Sequence, residues 1–409
     1  MPLAVCRRLA TPLLMTLAAC GTGPRGATFP ARSLAIDVCA RTPSYAEEST
    51  FFASAEVEDA TSIDVPSNGD LWPSCAAGAT LFAAWGDGYG FAPHDAKSAV
   101  PRPDIGVAAV HGLPAGTDGL HGQNLVTDRH AVQTTFRVWT RGSYYPKPTG
   151  MLCRAGRIYL AVEDLNSHTY DAAPAATITE STDGGVTFKE GETPMFSDGI
   201  FTTVMFLDDG PDGRHARDGY VYAYGLDFNW RGSQRAASPQ ALYLARIASS
   251  KDVLDRSQWE FFAGESGAVA WTPDILAKKP VLVDCTRRHA SATGPGYPVI
   301  AQGGVVYDAP LARYLYTSWS EYTFELYEAK APWGPWRRFL SKDFGLPPWT
   351  AAKHGGYGTT APSLYISQDG KTLWLQSNTW SSGVDHNNFA LRRVTLRPRT
   401  ERPPAAAEQ

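Results

Sequence analysis

Carboxylate side chains recur at the ends of similar apolar segments of this chain. Asp87 lies near the end of the segment 81–91. At equivalent points of three later segments stand Asp164, Asp227 and Glu321. Carboxylates that are brought close together repel one another, which separates their pKa values. Because one acid and one base of this kind can hydrolyse a glycosidic bond, we expect these side chains to converge on a common site.

Asp87 and Asp70 are the two candidate catalytic residues. Glycines flank Asp87 in the sequence Trp85-Gly-Asp-Gly-Tyr89, and they would let the backbone and a substrate approach closely. An alternative is that this segment is only a turn, since Asp-Gly is a common hairpin pair. Asp70 lies on the loop just before this segment, so its side chain could reach the same site as Asp87. The sequence Asn-Gly-Asp also fits an exposed turn.

Aromatic and polar residues near the repeated segments are candidate substrate contacts. Each aromatic residue has the alternative role of packing in the core. The aromatic candidates are Trp72, Trp85, Tyr89, Trp319 and Trp380. The polar candidates are Asp164, Asp227, Glu321 and His386, of which the acids could also hold Ca²⁺ and the histidine could be an ordinary loop residue.

Other reaction classes have little support in the sequence. The histidines show no metal-ligand spacing, and neither H-E-x-x-H nor G-x-S-x-G occurs. We therefore predict no catalytic metal and no cofactor, with a structural Ca²⁺ ion left open. The net charge of -4 and the lack of a basic run speak against nucleic-acid binding.

The elements that would position these residues are repeated strands. Five similar segments begin at about 81, 158, 221, 314 and 373, a spacing typical of one four-stranded blade per repeat. Gly 38, Pro 30 and 11% aromatic residues also favour many short strands. We predict an all-β fold, a single-domain five-bladed β-propeller over 33–396. The repeated segments would be the innermost strands, and 33–38 would be the N-terminal strand that closes the ring.

Two Asp-box hairpins support the propeller prediction. Ser181-Thr-Asp-Gly-Gly-Val-Thr-Phe188 follows the S-x-D-x-G-x-T-[FW] pattern, and 367–374 is a looser copy. The aspartate of such a hairpin caps turn amides, so we expect a structural role away from the ligand-binding face.

The N-terminal residues are typical of an export signal. A short apolar run over 9–17 follows Arg7-Arg8, and Leu17-Ala-Ala-Cys20-Gly21 matches the bacterial lipoprotein cleavage box. We expect a signal peptide over 1–19, lipidation of Cys20 and a tether over 20–32. A plain secretory signal is the alternative. The mature protein would be a monomer in the bacterial cell envelope, periplasmic or on the cell surface, held to the membrane by lipid alone, with a disordered tail over 397–409.

Four cysteines remain after export, in a compartment that permits disulfides. They allow three pairings, among which the sequence does not choose, and free buried thiols are a further alternative. These cysteines are Cys39, Cys75, Cys153 and Cys285.

Several motifs together resemble a bacterial family known as domain of unknown function 4185. The resemblance starts with Asp70-Leu-Trp-Pro73 and Trp85-Gly-Asp-Gly-Tyr-Gly-Phe91, and it covers about 33–396. The chain departs from the family at Leu71, where asparagine is usual. Further matching pieces follow in the family's order at 147–151, 181–188, 216–222, 244–246, 259–264, 332–336 and 369–374.

This resemblance implies a five-bladed β-propeller and a substrate class. Some members are endo-acting D-arabinanases of glycoside hydrolase family 183, which cut the arabinan of mycobacterial arabinogalactan and lipoarabinomannan. The family's two catalytic aspartates would correspond to Asp70 and Asp87. Lys147, in an intact Lys-Pro-Thr-Gly element, joins the candidate substrate contacts.

The sequence therefore predicts an exported glycoside hydrolase that acts on a furanoside-containing polysaccharide. One of the two aspartates would be the general acid and the other the base or nucleophile, in an order that the sequence does not give. The alternative is a non-catalytic, glycan-binding surface lipoprotein, because a fold does not set a function.

Overall fold

The computed structural model describes residues 37–91, 104–116, 119–125, 136–231, 239–265, 267–286, 298–319, 323–343, 358–381 and 384–399. Within these ranges only the backbone is described for 59–62, 64, 379–381 and 384–387. The described residues belong to one compact unit made almost entirely of antiparallel strands. The predicted all-β fold is confirmed. None of the described helices is long and apolar enough to cross a membrane.

The strands form successive antiparallel groups, which we name A to E in chain order. Group A has the order β2-β4-β5-β6, with β3 also paired to β4, and group B has the order β7-β8-β9. Their strands are β2 (Asn68–Asp70), β3 (Ser74–Ala77), β4 (Thr80–Gly90), β5 (Ile105–His111), β6 (His121–Asn124), β7 (Tyr144–Arg154), β8 (Arg157–Asn166) and β9 (Ala176–Ser181).

Groups C and D are joined by a short parallel pairing between their first strands, at Leu207 with Val305 and Asp208 with Val306. Group C contains β10 (Thr203–Asp208), β11 (Tyr220–Leu226), β12 (Ala241–Ala248), β13 (Glu260–Phe262), β14 (Trp271–Thr272) and β15 (Pro280–Val283). Group D contains β16 (Val305–Asp308), β17 (Arg313–Trp319), β18 (Thr323–Ala329) and β19 (Arg337–Asp343).

Group E joins the two ends of the described chain. It has the order β1-β21-β20, with β1 (Phe52–Val65), β20 (Thr372–Ser381) and β21 (Val384–Pro398). The prediction that 33–38 supplies the N-terminal strand is wrong for its described part. Asp37 instead caps a short helix, α1 (Val38–Arg41), by accepting a hydrogen bond from the Ala40 amide. The strand β21 also includes Arg397 and Pro398, the first two residues of the predicted tail.

The remaining helices are single 3₁₀ turns between strands. They are η1 (Pro211–Gly213), η2 (Arg256–Gln258), η3 (Ile275–Ala277) and η4 (Ser363–Tyr365). The Asp-box hairpin that precedes them behaves as predicted, since the Asp183 carboxylate accepts hydrogen bonds from the Val186 and Thr187 amides.

Buried apolar side chains pack between consecutive groups. One cluster joins A to B, and three others join B to C, C to D and D to E. A fifth joins E back to A, with Phe389 and Leu391 of β21 against Trp72, Leu81 and Trp85. Each group therefore buries its faces against its two neighbours.

Each repeated segment is paired on both sides, with the chain that precedes it and with the strand that follows it. An innermost strand would be an edge strand, so the prediction that these segments are innermost is wrong. A narrow cavity of about 30 Å³ is lined instead by the chain that precedes each of them. Its lining includes Ser74, Thr149, Met205, Gly303 and Thr360, one residue from each group. Small residues fit where five backbones crowd together, whereas the aromatic residues of the repeated segments need the wider space between groups.

Two disulfides resolve the pairing that the sequence left open. Cys39 is bonded to Cys285, and Cys75 is bonded to Cys153. The second bridge ties β3 of group A to β7 of group B, the two groups that also supply the candidate site.

Candidate active site

Lys147 connects the two predicted catalytic aspartates. Its Nζ donates a hydrogen bond to Asp70 Oδ1 at 2.9 Å and a second, shorter one to Asp87 Oδ2. Asp70 ends β2, Asp87 lies near the end of β4, and Lys147 comes from β7 of the neighbouring group. The structure thus brings together three residues that the sequence nominated separately.

The cluster is largely shielded from solvent. The side chain of Lys147 is 2% exposed, that of Asp70 is 10% exposed and that of Asp87 is 25% exposed. Burial alone would lower the pKa of Lys147, but the charges of Asp70 and Asp87 and their hydrogen bonds raise it above its ordinary value. Lys147 is therefore an ammonium shared by two carboxylates, and Asp87 is the more open of the two.

Gly86 allows the cluster to form. It pairs with Asp70 across β2 and β4, and a Cβ atom at this position would lie 2.5 Å from Asp70 Oδ1 and 2.6 Å from Lys147 Nζ. A Cβ atom on Gly88 would lie 2.1 Å from the Asn68 carbonyl oxygen. The Gly-Asp-Gly sequence is thus a place of close backbone approach inside β4, and the alternative of a hairpin turn is wrong.

The backbone at both aspartates is conformationally strained. Leu71 and Trp72, which follow Asp70, have φ values of 71° and 49°, and Asp87 has a φ of 49°. Such values cost a non-glycine residue about 1–3 kcal/mol and cluster at functional sites. A positive φ suits asparagine better than leucine, so the backbone at Leu71 would better fit the asparagine that is usual in the resembled family.

The predicted sugar platforms Trp72, Trp85 and Trp319 are buried, so that prediction is wrong for these three rings. Trp72 and Trp319 are 0% exposed, and Trp85 is 3% exposed. Trp85 is enclosed by Gly69 and Gly106, where added Cβ atoms would lie 2.5 and 2.0 Å from its ring. These tryptophans pack in the core and do not form an exposed platform for a ligand.

Asp164 and Asp227 do not join the cluster. Asp164 Oδ2 accepts hydrogen bonds from the Trp139 and Thr140 amides at 2.9 and 2.7 Å. Asp227 instead accepts from the Phe201 amide at 2.8 Å and pairs with Lys278 at 3.0 Å. Burial raises the pKa of both acids, and these partners oppose that shift. The expected convergence of repeat-equivalent carboxylates is therefore not found for this pair.

Tyr89 is the remaining candidate sugar contact whose side chain the structure describes. Tyr89 is half-buried, with its amide 3.3 Å from Asn68 Oδ1, and its role as a sugar contact stays a prediction. Glu321 and the side chains of Trp380 and His386 lie outside the described residues. Among the side chains that are described, no group of three or more His, Cys, Asp or Glu could hold a metal ion.

Glu163 is a member of the site region that the sequence argument missed. It lies directly opposite Lys147 in the register of β7 and β8, is 0% exposed, and accepts a hydrogen bond from Thr203 Oγ1 at 2.6 Å. Its Oε1 has no hydrogen-bond partner among the described residues. Burial raises the pKa of Glu163 to about 8, opposed by Thr203 and Lys147 and increased further by Asp164.

Strand geometry explains this omission. Neighbouring residues of a strand face opposite sides, so of the adjacent acids Glu163 and Asp164 only one can lie beside Lys147. The repeat alignment selected Asp164, whereas the pairing register places Glu163 opposite Lys147.

Comparisons with solved structures give fold-level similarities. The chain is similar to a candidate hydrolase from Bacteroides ovatus ATCC 8483, at 14% identity and a TM-score of 0.50, over 81% of this chain and 87% of that one. It also aligns with a GH43_1 enzyme from Xanthomonas citri, at 11% identity and a TM-score of 0.44, over 82% and 89% of the two chains. A family 117 glycoside hydrolase from Zobellia galactanivorans aligns at 10% identity and a TM-score of 0.43, over 85% and 91%.

No protein-family model and no curated protein sequence matches the chain. At these identities the structural similarity concerns the fold alone. The resemblance to domain of unknown function 4185 therefore stays a prediction.

Proposed function

We propose that this protein is a glycoside hydrolase in which Asp70 and Asp87 are the two catalytic carboxylates. The observation that carries the proposal is their shared hydrogen bonding to the buried Lys147 ammonium. Two carboxylates on separate strands meet at one point, on a strained backbone, with Asp87 partly open to solvent. Glycoside hydrolysis uses a pair of carboxyl groups of this kind.

The two aspartates would divide the chemistry between them. One would be the general acid that protonates the leaving oxygen, and the other would act as the base or nucleophile. Lys147 would hold both carboxylates in place through its two hydrogen bonds.

We propose a five-bladed β-propeller as the architecture. Groups A to E would be the blades, since each packs on the next and E packs on A through Phe389 and Leu391. The cavity lined by one segment from each group would be the central axis. The pairing of β1 with β21 would close the ring with an N-terminal strand.

The substrate we propose is a furanoside-containing polysaccharide, with D-arabinan as the first candidate because of the motifs at 70–73 and 85–91. The N-terminal sequence supports export and lipidation at Cys20, which would place a monomeric enzyme at the bacterial cell envelope. The candidate hydrolase from Bacteroides ovatus, which aligns at a TM-score of 0.50, agrees with the proposed reaction class.

The test is product release from a polysaccharide panel. The protein is incubated with arabinogalactan, lipoarabinomannan, plant arabinan and xylan, and products are separated by size. We expect fragments from at least one arabinan, and a loss of at least about 100-fold in Asp70→Asn and in Asp87→Asn, because general acid–base catalysis contributes roughly 10²–10⁴-fold.

Asp198→Asn is the matched control, since Asp198 is exposed and has a similar φ of 59°. It should retain wild-type activity. Full activity in Asp87→Asn would refute the catalytic assignment. Polysaccharide binding without any released reducing ends would favour the alternative of a glycan-binding lipoprotein.

A further inference from the structure

Two tyrosine rings in contact with each other extend from the aspartate–lysine cluster to the protein surface. The ring of Tyr145 has its centroid 5.2 Å from Lys147 Nζ. The ring of Tyr170 lies nearly perpendicular to that of Tyr145, with the centroids 6.3 Å apart. Tyr170 is 43% exposed, whereas Tyr145 is half-buried. The pair thus begins at the buried ammonium and ends at the surface.

The position of Tyr170 is fixed by its backbone. Its φ is 54°, which is unfavourable for a residue with a side chain. Its carbonyl oxygen accepts a hydrogen bond from Trp230 Nε1 at 2.8 Å, and its amide donates to the Asn166 carbonyl oxygen at 3.1 Å. Trp230 is 3% exposed and packs against Trp319 in the core. An exposed ring is therefore attached to a backbone that the core holds in place.

The turn before Tyr170 is also ordered by a side chain. Asn166 Oδ1 accepts hydrogen bonds from the His168 and Thr169 amides at 2.9 and 3.0 Å. A binding surface whose geometry is set before the ligand arrives loses less conformational entropy on binding. A preorganised, half-open aromatic pair beside two carboxylates suits a ligand with both apolar C–H faces and hydroxyl groups, which is the chemistry of a sugar ring.

We propose that Tyr145 and Tyr170 form a sugar-binding subsite next to Asp70 and Asp87, in which the ring of Tyr170 stacks on the sugar that adjoins the cleaved bond. This inference rests on the proposed function, because it takes the aspartate cluster as the reacting centre. In this proposal the aromatic contacts to the sugar come from the two tyrosines and not from the buried Trp72 and Trp85. The bound polysaccharide would then lie over group B.

The test measures binding separately from hydrolysis. Titration calorimetry with arabinofuranose oligosaccharides is carried out on Asp87→Asn, and on the same protein with Tyr170→Ala or Tyr170→Phe added. Aromatic contacts of this kind are worth about 0.5–1.5 kcal/mol, so we expect Tyr170→Ala to weaken binding about 2- to 12-fold. Tyr170→Phe should bind as tightly as the parent, since it keeps the ring.

Tyr45→Ala is the control for loss of an exposed tyrosine, because Tyr45 is 64% exposed and lies outside the site. It should leave the affinity unchanged. In the active protein, Tyr170→Ala should raise KM while kcat changes little, and its thermal unfolding should match that of the parent.

The outcomes separate the two proposals. If the oligosaccharides bind and are cleaved but Tyr170→Ala alters neither affinity nor KM, the subsite is refuted and the hydrolase proposal stands. If Tyr170→Ala weakens binding of oligosaccharides that the protein does not cleave, Tyr170 is a sugar contact, but the hydrolase proposal and the place of the subsite beside a cleaved bond are refuted. If no oligosaccharide binds, both are refuted.

Discussion

Replacing Glu163 with glutamine should change how the stability of the protein depends on pH. The carboxyl group is fully buried, and burial raises its pKa from 4.5 to about 8. Below pH 4.5 the group is protonated in both the folded and the unfolded state. Between pH 4.5 and about 8 only the unfolded state loses this proton, so the folded state binds more protons and its stability falls as pH rises.

The size of this effect follows from the pKa difference. Each pKa unit is worth about 1.4 kcal/mol, so the penalty grows to about 5 kcal/mol above pH 8 and is about 3 kcal/mol at pH 7. Glutamine has nearly the same shape and can still accept the hydrogen bond from Thr203. Its own cost of burial does not depend on pH, so comparison across pH isolates the titration of Glu163.

Urea denaturation of the wild type and of Glu163→Gln from pH 5 to pH 9 measures this difference. We expect the free energy of unfolding of the variant, relative to the wild type, to rise by about 4 kcal/mol over that range. Other buried acids with a raised pKa, such as Asp308 and Glu325, are present in both proteins, so their contributions cancel.

Glu56→Gln is the control, because the Glu56 side chain is 62% exposed. Its difference from the wild type should stay flat over the same range. If the stability curves of Glu163→Gln and the wild type run parallel between pH 5 and pH 9, Glu163 is not buried as a protonated acid, and the electrostatic account of this region is wrong.

Three further predictions concern the support of the aspartate pair. Lys147→Met should abolish hydrolysis and lower the free energy of unfolding at pH 7 by about 3–5 kcal/mol, since two carboxylates lose their shared cation; activity assays and urea denaturation measure the two effects. Gly86→Ala should abolish product release with a smaller loss of stability, because its Cβ displaces the Lys147 ammonium, whereas Gly219→Ala should leave product release unchanged because nothing lies within 4 Å of its added Cβ. Replacing Cys75 and Cys153 with serine opens a loop of 78 residues and should cost about 4–5 kcal/mol in denaturation experiments, and reduced wild type should show a larger loss because it also lacks the Cys39–Cys285 bridge.

Repetition in the sequence was enough to predict the fold class but not the place of the repeated strands. Apolar strands of similar length recur because every group must bury two faces against its neighbours. That requirement does not say which strand of a group is innermost. The cavity is lined by short segments rich in glycine and threonine, such as 149–150 and 303–304, which have little sequence signal of their own.

The aspartates could be nominated from the sequence because Gly-Asp-Gly follows an aromatic strand and matches a motif of the resembled family, although the same residues also fit a turn. The environment of the two aspartates could not be predicted from the sequence. Lys147 stood out only through a motif, and nothing in the sequence shows that its ammonium lies between Asp70 and Asp87. The roles of Glu163 and Tyr145 depend on the register between β7 and β8 and on side-chain direction, which a single sequence does not fix.

The location of the candidate site depends on the contact between groups A and B more than on the position of Asp87 in the repeated segment. Asp164 and Asp227 end strands equivalent to that of Asp87, yet their carboxylates are taken up by backbone amides and, for Asp227, by Lys278. Group A differs because Gly86 leaves space for a side chain from group B to enter. The ammonium that fills this space comes from β7, which the Cys75–Cys153 bridge holds against β3. Among the repeat-equivalent carboxylates that the structure describes, Asp87 is thus the one whose counter-ion comes from the neighbouring group.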